Sequence, residues 1–162
     1  MSARETIGVD LGGTKMRVGV VDSERRIQYS STESSVGLSE NRLVEDLSRE
    51  LAKAKESRPD VQAAGLGIPA TIDHDRGLAV QAVNLEISDV PIRDLMEKRI
   101  GLPVFVENDA SVAALAEHLY GAGRGAKDMV MLTIGTGIGG GLILGGRSTA
   151  APPARPASWD TS

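Results

Sequence analysis

IGVDLGGTKMRVGVV, residues 7–21, decides the fold. Ile7-Gly-Val-Asp10 is a short apolar run that ends in an acid, and Met16–Val21 alternates as a strand does. Between them Gly12-Gly-Thr-Lys15 supplies a tight turn, so the stretch reads as a hairpin. A strand follows the glycines, not a helix, and the Gly-x4-Gly-Lys-Ser/Thr spacing is missing; this is no P-loop. The turn has two readings. It is a hairpin that merely needs glycine, or a cradle in which the N–H groups of Gly12, Gly13 and Thr14 converge on an anion. In the second case Thr14 adds a hydroxyl, Lys15 a charge, and Asp10 holds Mg²⁺ directly or through water.

Outward from this hairpin, Arg26–Ser30 reads as a third strand. Leu43, Val44, Leu47, Leu51 and Ala54 recur at helical spacing until Pro59. Val61–Ile68 is small and apolar throughout, as in a strand covered on both faces. Residues 69–78 read as loop, Pro91–Ile100 as a helix closed by Gly101, and Val104–Val106 as a buried strand. Asn108 or Asp109 then opens an alanine-rich helix to about Tyr120, broken by the glycines of 121–125. Met129–Ile134 and Gly141–Leu144 flank a second glycine-rich turn. Three strands followed by alternating helices and strands predict an α/β fold with a mixed sheet. The last hairpin repeats the plan of the first, as the start of a second unit.

Composition narrows the function. The chain has 162 residues, a net charge of −4 and no cysteine. No basic stripe marks a nucleic-acid surface, and thiol chemistry and thiolate metal sites are excluded. With no signal peptide and no membrane-length apolar run, the expected compartment is the cytoplasm, with no membrane partner.

Two further motifs carry chemistry. Residues 133–141, TIGTGIGGG, contain a formal G-x-G-x-x-G at Gly135, Gly137 and Gly140. A dinucleotide fingerprint needs a helix next, and here Leu142-Ile-Leu144 follows, so a second phosphate-cradling hairpin is the better reading. Glu107-Asn-Asp-Ala110 lies where a strand meets a helix. Asp109 can accept a hydroxyl proton with Asn108 orienting the substrate, or the pair can simply cap the helix. Asn84 lies in a polar loop. His74 and His118 read as surface residues.

Taken together, Asp10-Leu-Gly-Gly-Thr-Lys15, Gly65-Leu-Gly-Ile-Pro69, Val83-Asn-Leu85, Glu107-Asn-Asp-Ala110 and residues 132–141 resemble the ROK family of sugar kinases, and within it the bacterial glucokinases. The resemblance covers residues 6–147. It implies the actin-like, ribonuclease-H-like fold, in which two related lobes clamp ATP and sugar. It implies that residues 1–122 form the first lobe and 123–147 the first hairpin of an incomplete second lobe. By the same resemblance Asp10 helps hold Mg²⁺, through water, while Gly12, Gly13, Thr14 and Lys15 cradle phosphate with Thr133, Gly135, Thr136 and Gly137. Asn84 and Asn108 would bind hydroxyls of glucose or a related hexose, and Asp109 would be the base at the 6-hydroxyl. A kinase for N-acetylated hexosamines is the rival within the family. A sugar-sensing repressor is less suited, because Asp10 comes too early for a helix-turn-helix to precede it.

Two departures from the family stand out. Ala70 occupies a position where the family usually has glycine, narrowing the sugar loop. The Glu-x-Gly-His sugar contacts, the cysteine-rich zinc motif and the adenosine pocket have no counterpart in the chain. The family is commonly dimeric, a habit that such a truncation puts in question. Residues 148–162, STAAPPARPASWDTS, read as an unfoldable tail. Read one base out of register, their codons permit hydrophobic-Tyr-Arg-Gly and later Glu-Leu-Gly-His, with the last Gly forced by the single codon of Trp159. A frameshift near Arg147–Ser148 and an impaired kinase are the resulting expectations.

Overall fold

In the computed structural model the described residues are 4–82, 85–134 and 138–149. Strands β1 (Glu5–Leu11) and β2 (Lys15–Val21) form the expected hairpin, with Ile7 opposite Val20, Val9 opposite Val18 and Leu11 opposite Met16. All six side chains are buried, because period-2 alternation places them on one face. Strand β3 (Ile27–Ser34) runs four residues past its expected end and forms a polar edge. Helix α1 (Glu40–Ser57) turns Leu43, Val44, Leu47, Leu51 and Ala54 inward. Arg58 N–H closes its last turn on the Ala54 carbonyl, and Pro59 prevents continuation.

Strand β4 (Val61–Ile68) pairs in parallel with β1. Helix α2 (Ile92–Ile100) buries Ile92, Met96 and Ile100 and ends at Gly101, whose left-handed φ of 65° favours glycine. Strand β8 (Val104–Asn108) completes a five-stranded mixed sheet of order β3-β2-β1-β4-β8. The core beneath it is aliphatic.

Residues 69–78, expected to be loop, contain strand instead. β5 (Ala70–Asp73), β6 (Leu78–Ala82) and β7 (Ser88–Val90) make a small antiparallel sheet. Runs this short carry no periodicity, and their cross-strand pairing together with burial of Ala70, Leu78, Ala79 and Val90 decides their form.

Among the described residues four carboxylates are buried, in β1, after β2 and in α1: Glu5, Asp22, Asp46 and Glu50. Each is met by cations or N–H groups. Asp22 accepts from the Arg26 and Glu24 amides at 2.9 and 2.8 Å and from the Arg26 and Gln28 side chains. The backbone hydrogen bond from Arg26 leads in lowering its pKa to about 2, against burial, which raises it. Arg58 grips Glu5 and holds it below the usual range. Burial pushes Asp46 and Glu50 up, but Arg49 and Arg42 on the first, and Lys53 and Ser31 on the second, outweigh it.

The chain divides into two compact units, Met1–Ala110 and Ser111–Ser162. Helix α3 (Asp109–Tyr120) begins in the first and continues into the second. The second unit holds β9 (Met129–Ile134), β10 (Ile138–Leu144) and β11 (Arg147–Ser148), in the order β11-β10-β9. Gly145 and Gly146, with φ of 58° and 77°, make the last turn. Pairing thus reaches Ser148, one residue into the expected tail, and Thr149 N–H still donates to the Leu142 carbonyl. The rest of that tail lies outside the described residues. Among the described residues no helix is long and apolar enough to cross a membrane.

Candidate functional site

Because β1, β4 and β8 are parallel, their carboxyl ends meet at one edge of the sheet, where ligands of α/β proteins bind. Asp10 is in register with Gly67, and Gly67 with Glu107. The turn after β1 and the start of α3 therefore lie two strand spacings apart, about 10 Å.

In the first turn, Gly12 N–H donates to the Lys15 carbonyl at 2.8 Å. Gly12 was expected to donate to phosphate; its amide is spent closing the hairpin, so it shapes the turn. The N–H groups of Gly13 and Thr14 have no acceptor among the described residues, and the Thr14 and Lys15 side chains are exposed. Ser35, fully buried, holds the turn from behind: its Oγ donates to the Gly12 carbonyl at 2.6 Å and its N–H to the Thr14 carbonyl at 3.1 Å. No local pattern announces Ser35, which is 23 residues from Gly12.

Asp10 is exposed, and Arg17 Nη1, its cross-strand neighbour, donates to its Oδ2 at 3.0 Å. Among the described residues no group of three or more His, Cys, Asp or Glu could cage a metal. Magnesium that travels with phosphates needs only one or two carboxylates and keeps several waters, so Asp10 beside the turn fits that ion.

At the third strand end both Asn108 Oδ1 and Asp109 Oδ1 accept from Ala110 N–H, at 3.1 and 2.8 Å. Asn108 Nδ2 donates to the Ala70 carbonyl at 3.3 Å, tying the expected sugar loop to β8. Glu107 Oε1 accepts from Asn108 N–H at 2.7 Å, while its Oε2 lies 2.9 Å from His74 Nε2. His74 is thus no surface residue but a partner of β8, and Arg93 Nη1 donates to its carbonyl at 3.1 Å. His118 also departs from expectation: its ring nitrogens are shielded and unpartnered among the described residues. Thr133 lies half-buried in β9 opposite Gly139. Asn84, Gly135, Thr136 and Gly137 lie outside the described residues. The formal G-x-G-x-x-G runs into strand β10, which removes the dinucleotide reading.

A family model described as "ROK family" matches residues 6–150. The glucokinase of Thermotoga maritima is 40% identical over 150 residues, which are 90% of this chain and 46% of that protein. The glucokinase of Halalkalibacterium halodurans is 37% identical over 152 residues, again 90% and 46%. The crystal structure of a ROK family glucokinase from Streptomyces griseus, in complex with glucose and AMPPNP, superposes with a TM-score of 0.84 at 40% identity. That match covers 91% of this chain and 47% of the other. The chain spans about half the length of the relatives it matches, and its mixed α/β sheet is the actin-like sheet of ROK kinases. On the matched span and the shared fold, this chain belongs to the ROK family.

Proposed function

We propose that the chain is the amino-terminal part of an ATP-dependent hexose kinase that phosphorylates the 6-hydroxyl of glucose. The observation that supports this reading is the parallel pairing of β1, β4 and β8, whose carboxyl ends carry Asp10, the Gly12–Lys15 turn and Asn108-Asp109. Asn108, with Asn84, binds sugar hydroxyls. Asp109 takes the proton of the 6-hydroxyl as that oxygen bonds to the γ-phosphorus and the bond to the β-phosphate oxygen breaks, releasing ADP. The amides of Gly13 and Thr14, the Thr14 hydroxyl and the Lys15 ammonium hold phosphate oxygens, and by the family resemblance Thr133, Gly135, Thr136 and Gly137 of the second turn have the same role. Asp10 supports Mg²⁺ through water; the ion, when bound, neutralises charge on the transferring phosphoryl group. Support comes from the glucokinase relatives at 37 and 40% identity and from the complex with glucose and AMPPNP.

Amide NMR of the 162-residue chain tests the proposal. Added glucose should shift Asn108, Asp109 and residues near Ala70, and MgATP should shift Asp10–Lys15. Silence at both sets at millimolar ligand, or responses scattered elsewhere, overturns it.

A further inference from the structure

The turn between β5 and β6, residues 74–77, is held from two sides. From α2, Arg93 N–H donates to the Gly77 carbonyl at 3.2 Å and Arg93 Nη1 to the His74 carbonyl at 3.1 Å. The approach is close: a Cβ added at Gly77, whose φ is 67°, would lie 2.6 Å from the Arg93 side chain. From β8, Glu107 Oε2 lies 2.9 Å from His74 Nε2, and the two side chains are only 20 and 23% exposed. A carboxylate offers acceptors alone, so the proton of this bond sits on His74 Nε2.

The bond leads directly to Asn108. The other oxygen of Glu107 accepts from Asn108 N–H at 2.7 Å, and Asn108 Nδ2 reaches back to the Ala70 carbonyl at 3.3 Å. Strand β5 joins Ala70 to Asp73, next to His74, so the contacts close a ring: His74, Glu107, Asn108, Ala70 and back along β5. Asn108 Oδ1 is engaged as well, by Ala110 N–H. The Asn108 amide group is therefore fixed at both ends, with one N–H and one lone pair still free to meet a hydroxyl. A group fixed before its ligand arrives binds more tightly, because less freedom is lost on binding.

We propose that His74 is a positioning residue for the hexose: through Glu107 it sets the backbone of Asn108, and with the Ala70 bond it sets the angle at which the Asn108 side chain meets the sugar. The proposal rests on the hexose-kinase reading above.

Two substitutions separate a hydrogen-bonding role from a packing role. His74→Phe keeps a ring and loses the donor, whereas His74→Gln keeps an N–H donor and loses the ring. In glucose titrations of the 162-residue chain followed by amide NMR, His74→Phe should weaken binding about fivefold or more, and His74→Gln should stay within about twofold of the unsubstituted chain. Without sugar, His74→Phe should move the backbone and Nδ2 signals of Asn108, and His74→Gln should return them. The MgATP response at Asp10–Lys15 should be the same in all three chains, since that turn lies outside the ring. Native Asn108 signals in the Phe variant overturn the proposal. Equal impairment of the Phe and Gln variants overturns it in favour of packing. Silence towards glucose in the unsubstituted chain strikes at the kinase reading instead; the sugar-free spectra then decide the role of His74, which return of the Asn108 signals by Gln supports and failure to return them overturns.

Discussion

Asp109 and Asn108 both accept from the Ala110 amide, so the residues that start α3 are also those placed at the strand ends. Capping and the proposed catalysis do not compete: Oδ1 of Asp109 accepts from the helix amide, and the second oxygen can face a hydroxyl. Asp109→Asn keeps an acceptor for the amide but removes the proposed base. In a kinase-competent chain carrying this lobe it should lower kcat by about 10²–10⁴ with little change in the KM for sugar, read by a coupled ADP assay. Ser35 works at the other strand end. Ser35→Ala strips the Gly12 carbonyl of its partner, and thermal or urea unfolding should show a loss of about 1–3 kcal/mol. The same substitution should broaden the amide signals of Gly13 and Thr14, because the turn loses its support from behind.

At the scale of elements, α1 supplies most of the cover over β1 and β2. Leu51 is wholly buried, and Leu51→Ala should cost about 2–5 kcal/mol in denaturant unfolding. The elements legible in the sequence were the β1–β2 hairpin and α1 from their period, β4 from its unbroken apolar run, and α3 from its cap and alanines. That Asp10, the glycine turn and Asn108-Asp109 belong to one site was an expectation of the family resemblance, and the parallel pairing of β1, β4 and β8 was not legible in the sequence. The small sheet of residues 70–90 was not legible either, because three-to-five-residue strands of small side chains carry no pattern and form by pairing and burial. Nor were the Ser35 clamp and the His74–Glu107 pair. The latter joins side chains 33 residues apart, and nothing local to either predicts the other.

For the whole molecule, the first of the two units carries nearly all the buried charge. Asp22 sets its acid response. Its pKa of about 2 lies below the ordinary carboxylate value, so its stabilisation is complete above pH about 4 and fades as the pH falls towards about 2. Asp22→Asn should flatten the pH dependence of the unfolding midpoint across that window, measured by circular dichroism in titrated buffers. Glu5, Asp46 and Glu50 are lowered as well, and all four carboxylates sit in the same compact unit. Acid unfolding of that unit is therefore also a proton-binding reaction. As the fold opens, each of these carboxylates regains its affinity for hydrogen ions, and the chain draws up to four from solution at once. A pH-stat held in that acidic window would record the unfolding as a burst of added acid with no other probe in the cuvette.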